Sequence, residues 1–236
     1  VTLDSSAPSS LAPASGASPG KHQRNAEETK RRLLIAAEIE FAAKGFDGAR
    51  LGNIARAVGV QQALIHHYFE DKEGLYRAVV ERGLAAVADE SWDILGRLSG
   101  GAGAAQHPKK RRSPFVELVE AFVDMLVRFY ATHEALLSIV RHEAGGGGGA
   151  LSDLLEQRVR PVFDAVVLRL EAMQEAGELK AGVDARHLCI SAMAMACFPF
   201  QEQALLGALW PADWHSTEMM EARKKEVVAT LVARGR

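Results

Sequence analysis

Cysteine is scarce: Cys189 and Cys197 are the only two in 236 residues, and they lie eight apart in one apolar stretch. Eight residues along a regular helix exceed the reach of a disulfide, so a disulfide framework is excluded and the chain must fold on its apolar core. A reducing cytosol fits that usage. Long hydrophobic runs are missing too. No stretch approaches the ~18 apolar residues that span a bilayer, so a soluble, cytoplasmic protein without membrane contact is expected. Aromatics make up only 6%, and neither charge dominates, with 28 Lys and Arg against 30 Asp and Glu. Bulk charge therefore does not announce nucleic acid as a partner, and only local placement can. Catalytic constellations are lacking as well. His133, Glu134, His142 and Glu143 do not have a zinc-binding spacing, and the run Gly145–Gly149 is not a phosphate loop, so neither a metal nor a cofactor is expected. Strand alternation and internal repeats are absent.

What is present is helical patterning on an apolar fraction of 48%, ample for a core. Residues 1–24, rich in Ser, Ala and Pro, bury too little to offset chain entropy and are expected to form a disordered tail. Leu33, Leu34, Ala37 and Phe41 then recur at steps of three and four, one stripe of a helix that Gly45 can stop by taking positive φ. Ile54, Ala55 and Val58 face inward from a short second helix, and Gly59 supplies the turn before a third begins near Gln61. Leu64, Ile65 and Phe69 pin that third helix and leave polar side chains outward, the arrangement of a helix that enters a major groove.

Further along, Asp71 is placed to cap a fourth helix running to about Leu98. A Gly/Ala/Pro-rich connector from Ser99 to Pro114 carries the basic run 109–112, expected to be a solvated loop. Phe115–Phe129 and Leu136–Val140 mark two more helices. The five glycines predict a flexible break, at roughly 1 kcal/mol each relative to alanine in a helix. Leu151–Met173 resumes the pattern, with a bend predicted at Pro161. Asp184 can cap a helix that is apolar nearly all round from Leu188 to Phe200, with Pro199 at its kink or end, and Thr217–Val232 closes the series. The fold class is all-α, about nine helices.

The motif set Leu33-Leu34-x-Ala36-Ala37, Phe41, Gly45-Phe46, Ile54-Ala55, Val58-Gly59-Val60, Tyr68-Phe69 and Lys72 resembles the tetracycline-repressor (TetR) family of transcriptional regulators over about Glu27 to Val87. The resemblance implies a helix-turn-helix DNA-binding domain at 27–87, with the motif proper at 50–69, and a helical ligand-binding and dimerisation domain at 88–236. It places the DNA contacts on Arg50, Gln61, Gln62, Ala63, Leu64, His66, His67, Tyr68 and Lys72. Three positions depart from the family pattern. Ala49-Arg50 stands where Thr or Ser usually caps the second helix and touches phosphate, Gln61 where Ser or Thr is common, and His66 where a phosphate-contacting Tyr is common.

The family resemblance further implies a homodimer on a palindromic double-stranded operator, built from 184–206 and 217–232, with Leu188, Met195, Phe198 and Leu231 as interface or core groups. It implies repression relieved by a small-molecule effector. Met125, Phe129, Phe163, Met173 and Met193 are the candidates for an apolar effector cavity, since thioethers and aromatics adapt to varied ligands. The rival expectation is a ligand-independent DNA-binding or architectural helical protein.

Overall fold

Leu33, Ala37 and Phe41 are fully buried one turn apart, and around this stripe the N-terminal third of the chain assembles. The computed structural model describes residues 21–99, 113–146 and 149–236, without the side chains of 21–23 and 144–150. Most of the expected tail, the basic run 109–112 and Gly147–Gly148 lie outside the described residues. Helix α1 (Lys21–Gly48) begins inside the stretch expected to lack structure. Its regular geometry breaks at Gly45, where φ is 66° and ψ 178°. That region is open essentially to glycine alone, which is why this position ends the stripe.

Helices α2 (Leu51–Val58), α3 (Gln62–Phe69) and α4 (Lys72–Ser99) follow. Gly59, at φ 75°, closes α2, and the Val60 amide reaches back to the Ala55 carbonyl at 3.0 Å. Asp71 caps α4 as its position predicts, accepting from the Gly74 amide at 2.7 Å.

Helices α5 (Pro114–Thr132), α6 (Glu134–Gly146) and α7 (Gly149–Leu154) come next, so helix extends from both sides into the glycine run and the break is shorter than five residues. A single π-helical turn, Leu155–Val159, links α7 to α8 (Arg160–Glu175). Pro161 sits in the first turn of α8, where its missing N–H costs nothing, and the Arg160 amide bonds the Leu155 carbonyl five residues back. The bend predicted at Pro161 is thus taken up as a π turn and a new helix start.

Helix α9 (Ala185–Gln201) is capped by Asp184 and runs through Pro199. A proline there leaves the Met195 carbonyl without its helical donor. The Arg223 guanidinium, from α11 (Thr217–Gly235), fills the gap with two hydrogen bonds to that carbonyl, at 3.0 and 2.6 Å. Short α10 (Gln203–Leu209) lies between them. The class is all-α, with no strand among the described residues. The count exceeds nine because the 151–173 segment divides and α10 is added. No described helix is long and apolar enough to cross a membrane.

Two cores result. The second helical half packs Phe115, Leu118, Val123 and Met125 of α5 against α8, α9 and α11. The N-terminal core around Phe41, Ile65, Leu75 and Tyr76 is completed from outside, by Ile139 of α6 and by Leu151 and Leu154 of α7. Burying each such side chain is worth about 1.5–3 kcal/mol, so the two halves are mechanically joined.

Candidate nucleic-acid interface and buried cavity

The start of α2 lacks a side-chain cap of its own, since Arg50 holds the N-cap position in extended backbone and no capping hydrogen bond comes from it. Glu40 of α1 supplies the acceptor instead. Its Oε1 accepts from the Arg50 backbone amide at 3.3 Å and from the Asn53 side-chain Nδ2 at 2.9 Å. Sequence reasoning missed Glu40, although a carboxylate at the end of the preceding helix, facing a capless α2, is the signal that finds it. The Arg50 side chain is exposed and, among the described residues, its guanidinium has no partner.

On α3, Gln61, Gln62, Ala63, His66 and His67 are exposed, whereas Leu64 and Tyr68 are half-buried and Ile65 and Phe69 buried. This is one polar face on a pinned helix. His66 is neither free nor a core residue: its Nδ1 donates to the Glu70 carbonyl at 2.8 Å, because a carbonyl only accepts. It thereby braces the turn at Glu70, which takes φ 68° and lets the Asp71 amide bond the Phe69 carbonyl at 2.8 Å. The outward Nε2 is left to meet a ligand.

The basic side chains around this face are positioned rather than loose. Lys72 Nζ lies 4.9 Å over the Phe46 ring and donates to the Asp47 carbonyl at 3.2 Å. Lys30 lies 5.8 Å over Phe69, and Arg32 donates to the Val58 carbonyl at 2.8 Å, closing the end of α2. Arg31 pairs with Glu28.

A second feature lies deeper. A cavity of about 370 Å³ opens between α4, α5, α6, the π turn, α8 and α9. Met125, Phe129, Phe163 and Met193 line it, together with Leu188, Leu231 and both cysteines. Met173 does not; it is buried in the core. No lining residue is charged. Burial pushes the Cys189 thiol up to about 11, and burial with the Glu202 carboxylate pushes Cys197 up to about 11, so both stay neutral at physiological pH.

Residues 33–79 match the family described as bacterial regulatory proteins of the tetR family, and residues 116–231 match the tetracyclin repressor-like C-terminal domain. The chain belongs to the TetR family. The HTH-type transcriptional regulator RutR of Escherichia coli K12 is 40% identical over 63 residues, which cover 27% of this chain and 30% of RutR. The similarity to RutR thus spans less than a third of that protein's length. The HTH-type transcriptional repressor SCO4008 of Streptomyces coelicolor is 27% identical over 174 residues, 73% of this chain and 79% of the relative. Among solved structures, the regulator FadR from Bacillus subtilis in complex with stearoyl-CoA superposes with a TM-score of 0.63 at 15% identity, covering 87% of this chain and 99% of FadR.

Within this TetR-family fold, the four groups expected as interface or core fall mostly on the core side. Leu188 and Leu231 are buried inside the subunit itself. Met195 is half-buried and its carbonyl is held by Arg223, so of the four only Phe198, 44% exposed, stands at the surface. Helix α11 has no large exposed hydrophobic because α5 and α9 cover its apolar face. Exposed apolar groups in this half include Leu205, Leu209 and Trp210 of and beside α10, Leu168 of α8, and a stripe on α9 where Ile190, Ala194 and Phe198 recur every four residues.

Two elements connect the cavity to the reading unit of this TetR-family chain. Helix α4 contributes Leu84, Val87 and Ser91 to the cavity wall and Leu75, Tyr76, Val79 and Val80 to the N-terminal core. Helix α6 contributes Leu136, Leu137 and Val140 to the wall, while its Glu143 accepts from the Tyr76 hydroxyl at 2.9 Å. Burial, with the Glu143 carboxylate beside it, holds that hydroxyl well above the usual tyrosine range.

Proposed function

We propose that the protein is a one-component transcriptional repressor that grips a near-palindromic DNA operator as a homodimer and releases it when a small apolar effector fills the cavity. It acts by binding, not by catalysis. The observation that carries this reading is that one helix, α4, forms both the cavity wall and the reading-unit core. At 28 residues it extends about 42 Å, so a small displacement at the cavity becomes a change in the position of α3.

One α3 contacts too few base pairs to select a single genomic site, so two copies across a dyad are required. The α8–α9 stripe of Leu168, Ile190 and Phe198 is the surface we assign to the partner copy. On each copy, Gln61, Gln62 and Ala63 at the start of α3 face base edges. Arg50, His66, His67, Tyr68 and Lys72 hold phosphates, and Leu64 seats the helix.

For release, the effector must bind the DNA-incompetent spacing of the two reading units better than the competent one, with a coupling of about 1–3 kcal/mol. An apolar lining suits an apolar ligand, and the ligand that FadR holds carries a long acyl chain. Selecting bound duplexes from a random pool tests the reading. A dyad-symmetric consensus is expected, and sequence-independent recovery would leave an architectural protein in its place.

A further inference from the structure

The cavity wall is not uniform. Its polar atoms are few, and Tyr130, Cys197 and Gln201 are among the residues that carry them. Tyr130 of α5 is nine-tenths buried, and its hydroxyl makes no hydrogen bond among the described residues. Cys197, which lines the same cavity, donates from its Sγ to the Gln201 Oε1 at 3.4 Å. With that oxygen engaged, the Gln201 Nε2 keeps its donors. Arg141, outside the lining, donates to the Gln201 carbonyl at 2.9 Å and pairs with Glu202 at 3.3 Å, so its charge is already committed.

The Tyr130 hydroxyl is not among the fully buried atoms, so on this cavity wall it keeps surface open to a ligand or water, which can supply the partner the protein does not. The rest of the wall is uncharged, and apolar but for the Cys189 thiol and Ser91, whose hydroxyl already donates to the Val87 carbonyl at 2.7 Å. A ligand buried here therefore gains from an apolar body and from one uncharged head group, while an ionised head group would lose its hydration with no counter-ion to replace it.

We propose that this cavity selects uncharged amphiphiles, an apolar body with a single hydroxyl or carbonyl head, held by the Tyr130 hydroxyl and the Gln201 amide. This rests on the reading of the cavity as the effector site and adds the ligand class to it. The cavity's size is at the lower end of those that hold drug-sized molecules, which limits the body to a small one.

The test uses three probes of one chain length, decan-1-ol, decanoate and decylammonium, each below its micellar range. Calorimetric titration of the full-length protein without DNA reads their binding. Decan-1-ol is expected to bind at least about tenfold more tightly than either ion at pH 8. Tyr130→Phe should weaken decan-1-ol about tenfold while leaving the unliganded protein at least as heat-stable as the parent, because it deletes an unpaired polar group. Gln201→Leu should weaken it similarly.

Decanoate binding as well as decan-1-ol, or no probe binding at all, overturns the ligand class. A Tyr130→Phe variant that melts lower and binds decan-1-ol unchanged assigns the hydroxyl a structural role and also overturns it. Operator release is measured separately. Selective binding of decan-1-ol without release sustains the ligand class and sinks the regulatory reading, whereas release by another ligand despite failed selectivity does the reverse.

Discussion

At the scale of single residues, the proposed DNA contacts divide into groups that select sequence and groups that supply grip. Gln62 is exposed on the first turn of α3, and a carboxamide can donate and accept in a pair to an adenine edge, worth about 1–3 kcal/mol of discrimination. Lys72 presents a point charge that carries no sequence information. Gln62→Ala is accordingly expected to relax base preference at one operator position, and Lys72→Ala to weaken all duplexes alike and reduce the salt slope by about 0.9. Binding isotherms on specific and random duplexes at several salt concentrations separate the two, and identical behaviour of both variants would contradict the division. The departures from the family pattern acquire definite partners at this scale. Glu40 accepts the Arg50 amide and the Asn53 side chain at the capless start of α2, and His66 is tied to the Glu70 carbonyl. The Glu70 turn was not legible in the sequence, because it depends on a rare backbone conformation that composition does not announce, and Glu40, acting across ten residues of chain, was signalled only by its place before a capless helix.

At the scale of elements, helix ends were the most legible features. Gly45, Gly59, Asp71 and Asp184 all end or begin helices where their chemistry requires. Gly45→Ala should destabilise the protein by about 1–3 kcal/mol, seen in chemical denaturation. The cost comes from backbone strain rather than a clash, since an added Cβ would meet the His142 ring at an ordinary 3.6 Å. An unchanged midpoint would mean that the break at Gly45 is dispensable. Asp184 gives a pH-dependent counterpart. The His187 amide, with that of Arg186 and their side-chain charges, outweighs desolvation and holds its carboxyl below the usual carboxylate range. A lowered native value adds stability that is complete above the unfolded value of about 3.9 and disappears as pH falls through the native one. Asp184→Asn keeps a capping oxygen without the charge, so the parent should melt higher at neutral pH and the gap should close in acid. A gap independent of pH would assign the effect to something other than charge. The prolines were harder to anticipate. Pro161 starts a helix behind a π turn, and Pro199 stays inside one because Arg223 supplies the missing donor.

At the scale of the whole molecule, the exposed stripe on α9 separates assembly from folding. Ile190 is 55% exposed, so Ile190→Glu removes little from the subunit's own core while placing a charge in the proposed dimer contact. Sedimentation of the variant should show monomer where the parent shows dimer, with the thermal midpoint of the monomeric fold little changed. A dimer that persists would move the interface elsewhere. At the same scale the Tyr76–Glu143 hydrogen bond and the shared helix α4 tie the cavity wall to the N-terminal core.

The sequence by itself determined the helical class, the family and the outward polar face of α3, because periodicity and helix-end chemistry are local properties that survive without a tertiary context. Four of its five cavity candidates, Met125, Phe129, Phe163 and Met193, do line the cavity. Only the tertiary structure decided that Leu188 and Leu231 belong to the subunit's interior, that Met173 stands back from the cavity and that Tyr130 is left without a partner there. Amphipathic periodicity marks which face of a helix is buried, but against which neighbour, or against empty space, depends on how helices distant in sequence pack together.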